Sequence, residues 1–170
     1  MVFYGILITL LLVAVFTDIR KRRIPNWLTC SAVVVAMLYH GGAEGISGFI
    51  QAIEGLTLGM ALLLPFYAAG GMGAGDVKLM GAVGALLGPK GVFIAFIFSA
   101  LAGGVYALVL IVAMGRLRDV ILHYAAVLGF FYCTGTVLYE SPAVGEKPVL
   151  CYAVAIAAGT FVSRAQALLW

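Results

Sequence analysis

Apolar residues run in long unbroken stretches along this chain, at about residues 2–17, 27–40, 46–70, 77–88, 91–114, 120–139 and 149–169. Polar and charged residues are largely confined to the gaps between them. Strict alternation, the mark of a membrane β-strand, is absent, so the pattern predicts helices. Crossing a hydrocarbon layer of about 30 Å takes about 20 helical residues. The second stretch is marginal by that measure. The fourth, Val77 to Gly88, is too short to cross unless it tilts or extends into the glycines beside it. Gly88-Pro89-Lys90-Gly91 predicts a break before the fifth stretch. Residues 120–139 carry His123, Tyr124, Tyr132 and Tyr139, which suit a helix lying in the membrane interface. The expected fold is an all-α polytopic membrane protein with six transmembrane helices, or seven if 120–139 crosses. No internal repeat or composition change divides it, so 1–170 reads as one domain.

Composition supports this picture. Hydrophobic residues make up 64% of the 170, and mean hydropathy is +1.15, against an apolar share of about 45–50% for soluble domains. Met1 to Phe16 has neither a basic start nor a small-residue cleavage site, so it reads as a retained first span rather than a signal peptide. Cys30, Cys133 and Cys151 are dispersed in apolar stretches without a Cys-x-x-Cys pair, which supports neither a zinc ribbon nor a redox motif. The net charge of +3 is not a nucleic-acid footprint, because the basic residues gather at helix ends.

Their placement sets an orientation. Asp18 follows one crossing, Asp76 follows three, and Arg116 and Arg118 follow five. Arg20, Lys21, Arg22, Arg23, Lys78, Arg116 and Arg118, seven of the ten basic residues, then share one face. The positive-inside rule makes that face cytoplasmic. Both aspartates open towards it.

Those two are conspicuous among only seven acidic residues. An ionisable group at a membrane boundary is costly and marks a functional site until a partner is found for it. Here each can be the other's partner. Two carboxyls held together share a proton and titrate as a unit, so one can activate water while the other donates a proton. Asp76 starts a helix, where the dipole favours an anion, and Asp18 ends one, where it does not. That local balance expects Asp18 to hold the shared proton more often. Gly70-Gly71-Met72-Gly73-Ala74-Gly75 is a poor helix interior and predicts a bend whose bare backbone is open to an extended peptide.

Other candidates read as structural. Lys78 lies about 200° around the helix from Asp76 and should not face it. Arg20 to Arg23 form a topology signal with affinity for anionic lipid. In Ile24-Pro25-Asn26-Trp27, Pro25 is suited to starting the second helix and Trp27 to the interface. Glu54 lies inside a span nearer the outer end, as a structural carboxyl. His40 and His123 fall on opposite faces and make no metal site. Ser99 and Ser163 lack a nearby base, so a serine protease is unsupported.

Two elements resemble one family. Asp18-Ile19-Arg20-Lys21-Arg22-Arg23-Ile24-Pro25-Asn26 is similar to the Asp-x-(4–5)-Ile-Pro-Asn element of type IV prepilin peptidases. Gly73-Ala74-Gly75-Asp76-Val77-Lys78 resembles their Gly-x-Gly-Asp-x-Lys element. The last apolar stretch, opening at Pro148 and Tyr152, is similar to a Pro-Tyr-Gly-x-Ala-Ile element but interrupts it with Val149-Leu150-Cys151. The length resembles the compact branch serving tight-adherence (Flp) pili, without a methyltransferase region.

The resemblance implies an aspartic endopeptidase of the bacterial cytoplasmic membrane that removes the short basic leader of prepilins. Asp18 and Asp76 would be the catalytic pair, supported by Gly73, Gly75, Lys78, Pro25 and Asn26. Neither metal nor cofactor is implied. The expected partners are the prepilin helix and the lipid bilayer. Two readings from other classes stand beside it. A proton-coupled carrier would use the carboxylates as a relay and show internal symmetry. A silent pilus-assembly protein would hold them more than about 10 Å apart with no wet path between them, beyond the reach of acid–base work.

Overall fold

The structure, a computed structural model, describes residues 2–115, 117, 118, 122 and 152–169. The helices whose bounds lie among the described residues are α1 (Val2–Lys21), α2 (Asn26–Ala68), α3 (Ala74–Ala113) and α4 (Tyr152–Leu169). The described residues contain no strand, in line with the all-α expectation. The stretch 120–139 lies outside the described residues except for Leu122, as do Arg116, Cys133, Pro148 and Cys151.

Two of the helices are folded back on themselves. Gly45 (φ 66°, ψ −142°) interrupts α2 and Gly88 (φ 71°, ψ 177°) interrupts α3. Both conformations suit a residue without a Cβ. Residues eight apart in a straight helix are separated by about 12 Å. Yet Gly48 packs on the His40 carbonyl, and a Cβ on Gly84 would lie 3.2 Å from Val92 Cγ2. The chain therefore reverses at each glycine. The expected break at 88–91 is thus confined to Gly88, with Pro89 opening the next arm. The expected gap between 40 and 46 is reduced to Gly45.

The ends of the elements follow local chemistry. Arg22 takes a left-handed conformation (φ 51°) and returns its N–H to the Asp18 carbonyl at 2.8 Å, closing α1. Pro25, extended at φ −69° and ψ 135°, precedes the first residue of α2. Gly70 (φ 72°) ends α2 in a Schellman motif, with Gly71 N–H on Phe66 O at 3.0 Å and Gly70 N–H on Tyr67 O at 2.9 Å.

The first arm of α3 is the centre of the molecule. Nearly every residue from Asp76 to Leu86 is buried, Lys78 being the exposed exception. A helix apolar all round requires neighbours all round. One neighbour is the second arm of α2, antiparallel and very close, with Gly55 against Gly84 and Gly59 against Met80. Small residues at these positions let the two backbones approach. The second arm of α3 meets α4 in the same way: Ser163 Oγ donates to Gly91 O at 3.1 Å, and Gly159 packs on Ser99. α1 lies against both α2 and α4.

The chain divides into two compact units, Met1–Gly103 with Cys151–Trp170, and Gly104–Leu150. Asp18, Asp76 and the described residues around them lie in the first. Of the second, the described part is chiefly the end of α3, whose Val105, Leu108, Val109 and Val112 are exposed. α2 and α3 are long and apolar enough to cross a membrane, and 152–165 forms a shorter apolar helix. Exposed side chains such as Ile46 (81%), Leu38 (71%) and Trp27 (67%) give the first unit an apolar exterior, which marks a membrane or partner surface.

Candidate active site

Asp18 sits in the last turn of α1 and Asp76 in the first turn of α3; each is only 9% exposed. Gly73 immediately precedes α3, and its N–H donates to Asp76 Oδ2 at 3.2 Å. Asp76 N–H in turn donates to Gly73 O at 3.1 Å. The carboxyl thus reaches back to the residue before its own helix, which is half of a capping box. This fixes one oxygen of Asp76.

The two sequence elements meet. A Cβ on Gly75 would lie 3.2 Å from Ile24 Cβ and 3.5 Å from Ile24 N, so the bare face of Gly75 is pressed against the Ile-Pro-Asn turn. Lys78 Nζ donates to Asn26 Oδ1 at 2.9 Å, across 52 residues of sequence. As the helical spacing predicts, Lys78 faces away from Asp76 and towards solvent. Half-buried Pro25 lies between Ile24 and Asn26. The glycine-rich bend is partly occupied by the chain itself: at Gly75 it meets Ile24 and the Gly73 amide is taken by Asp76, whereas Gly70, Gly71 and Gly73 are exposed.

A third element completes the arrangement. Ala153, in the first turn of α4, donates its N–H to Asp18 Oδ2 at 3.4 Å. Its neighbour Tyr152 is half-buried and within electrostatic reach of Asp76. The tyrosine ring lies on the bare backbone of Gly103, where a Cβ would come 2.7 Å from Cε2. The first turn of α4 therefore contacts Asp18 through Ala153. Sequence reasoning overlooked Ala153 and Gly103, because a main-chain donor has no side-chain signature and a helical glycine has many uses.

The charge of Asp18 acts on Asp76. Burial pushes Asp76 up to about 6, and the charge of Asp18 adds to the rise while the Gly73 amide opposes it. Burial also raises Asp18, partly offset by the Ala153 amide. Both groups lie just beyond the apolar runs 2–17 and 77–88. Two carboxyls with raised pKa values, each held by a main-chain donor, have the composition of an acid–base pair.

The remaining candidates stand apart. His40 pairs through Nε2 with Leu86 O at 3.0 Å, at the opposite end of the central arm. Glu54 is exposed on the second arm of α2. Ser99 Oγ donates to Ala95 O at 2.6 Å, a helix-internal bond like that of Ser31 to Leu28 O at 3.0 Å.

The type IV leader peptidase family has a model that matches residues 5–108, which include both aspartates. The chain is also similar to the prepilin leader peptidase/N-methyltransferase of Bacillus subtilis (strain 168), with 36% identity over 107 residues. The match covers 59% of this chain and 41% of that protein, so the chain accounts for less than half of the relative's length. No solved structure matches.

Proposed function

The chain belongs to the type IV leader peptidase family, and from that premise we propose that it is a membrane-embedded aspartic endopeptidase. Its substrate would be a type IV prepilin of the tight-adherence (Flp) class, whose apolar helix lies in the bilayer and whose short basic leader stays at the cytoplasmic face. One observation carries this reading more than any other. Asp18 and Asp76, 58 positions apart in the sequence, lie close enough for the charge of one to act on the other.

The chemistry needs no group beyond the pair and a water molecule. The ionised carboxyl removes a proton from water as its oxygen adds to the scissile carbonyl carbon. The protonated carboxyl gives its proton to the carbonyl oxygen. On collapse, the first carboxyl returns its proton to the departing amine, and the second recovers one from the diol. Gly73, Gly75, Lys78, Pro25 and Asn26 act at one remove, by holding Asp76 against the turn that follows Asp18. The apolar exterior and the positive-inside distribution support six spans of one domain in the bacterial inner membrane, with the site towards the cytoplasm.

Co-expression of the chain with type IV prepilins that carry a basic leader tests the reading, through the mobility shift of the shortened product. Leader loss that depends on the chain supports it. Precursors that all stay full length beside the folded chain contradict it.

A further inference from the structure

Four consecutive basic residues follow shortly after Asp18, and helix chemistry accounts for only half of them. Arg20 and Lys21 stand in the last turn of α1, where cations suit the negative end of the dipole. Arg22 and Arg23 lie beyond the helix and gain little from it. Arg22 also holds a left-handed conformation (φ 51°), at a position where glycine or asparagine is usual. A charge kept there against backbone preference points to a use outside the local fold.

All four side chains are exposed, and apolar side chains flank them. Phe16 and Ile19 are each 61% exposed and Trp27 67%. The Arg20 guanidinium lies 5.8 Å from the centroid of the Phe16 ring, which holds a cation at the edge of the exposed apolar face of α1. Tryptophan beside exposed apolar and basic side chains is the make-up of the headgroup level of a bilayer.

The cluster also lacks a counter-charge. The acidic side chains among the described residues are Asp18, Asp76, Glu44 and Glu54. Glu44 lies about 27 Å of helix beyond Asn26, and Glu54 about 21 Å before Ala68, the two ends of α2 that adjoin the site. Among the described residues, only the buried pair therefore offers negative charge at this end. The substrate proposed above brings more positive charge in its basic leader, and like charges repel within about 10 Å at 0.1 M salt.

We propose that the turn Arg20–Arg23, with Trp27 beside it, binds anionic phospholipid headgroups, and that the headgroups it gathers receive the basic leader of the substrate. Exposed Phe16, Ile19 and Trp27 favour lipid over an acidic protein segment, because a water-borne partner would leave them wet. The lipid half stands on the cluster alone. The leader half rests on the peptidase reading.

Trp27 reports on the lipid half. The chain has two tryptophans, and Trp170→Phe leaves this one. In nanodiscs, brominated phosphatidylglycerol should quench Trp27 more strongly than brominated phosphatidylcholine at the same share of lipid. The preference should be at least about threefold and fall towards one in about 0.5 M salt, as it should in Lys21→Gln/Arg23→Gln. Both faces of a nanodisc carry the same lipid, so orientation does not enter, and the salt arm needs no further variant. Equal quenching by the two lipids overturns the site, leaving the cluster as an orientation signal or a contact for an acidic protein segment. Cleavage of a basic-leader prepilin should run at least about threefold faster with phosphatidylglycerol than in phosphatidylcholine alone, through a lower KM. Selective quenching with cleavage indifferent to lipid charge overturns the leader half. Selective quenching with no prepilin cleaved in either lipid refutes the peptidase reading and leaves the lipid site standing.

Discussion

Lys78 Nζ and Asn26 Oδ1 lie 2.9 Å apart, and this bond ties the helix bearing Asp76 to the turn that follows Asp18. Because the pair is exposed, its contribution to stability is small, about 0.2–1 kcal/mol. Its effect on activity should exceed that, since acid–base work tolerates little displacement. Lys78→Met and Asn26→Ala should each slow leader removal by about tenfold, with melting temperatures little changed. The double variant should be no slower than either single one. Additive losses in this cycle would show that the two side chains act separately.

Gly75 tests the same joint through packing. An alanine there places its methyl 3.2 Å from Ile24 Cβ, tighter than packed carbons allow, and the Ile24 main chain lies just behind. Gly75→Ala should cost about 1–2 kcal/mol and lower the cleavage rate. Gly42→Ala, where nothing lies within 4 Å, should leave activity unchanged and stabilise by about 0.5–1 kcal/mol. Thermal unfolding in detergent beside a cleavage assay separates the two effects.

The glycine contact between α2 and α3 bears on the fold rather than on the chemistry. A methyl on Gly55 would collide with the Gly84 carbonyl oxygen, and a methyl on Gly84 with that of Gly55. Either substitution should destabilise by about 3 kcal/mol. The loss should appear as reduced yield of monodisperse protein, before any effect on catalysis can be read.

Raised carboxyl pKa values also make stability depend on pH. Asp76 moves from an ordinary value of 3.8 to about 6 in the folded chain. Between those values the folded state binds more protons than the unfolded one, so stability falls as pH rises through that window. At neutral pH the ionised group costs on the order of 2–3 kcal/mol. Asp76→Asn should therefore unfold at higher temperature than the parent at neutral pH, with the gap closing towards pH 4. The kcat/KM profile should be bell-shaped, with an alkaline limb near about 6 where the pair loses its shared proton. A profile flat across that limb would refute the need for that proton.

Much of the fold and site was readable from sequence, and what was not shares one cause. Asp18, Asp76 and the glycines before Asp76 stood out because charges and glycine runs are rare in apolar chains. The break at Gly88 followed from turn chemistry, and the one at Gly45 falls in the gap between two apolar stretches. The brevity of 77–88 was visible too, but not its reason: that arm is the buried centre, and its glycines and alanines admit neighbours on every side. The amide of Ala153 on Asp18 joins positions 135 apart in the sequence, and nothing in a local pattern reports it.

Leader removal by two carboxyls acting together is the central claim. The decisive measurement is single-turnover cleavage of a purified type IV prepilin by the full chain in nanodiscs, with Asp18→Asn and Asp76→Asn confirmed as folded by circular dichroism. Each variant should lose at least about a thousandfold in rate, and the double variant little more, as groups acting as one unit do. A folded single variant that cleaves at the parent rate would contradict it.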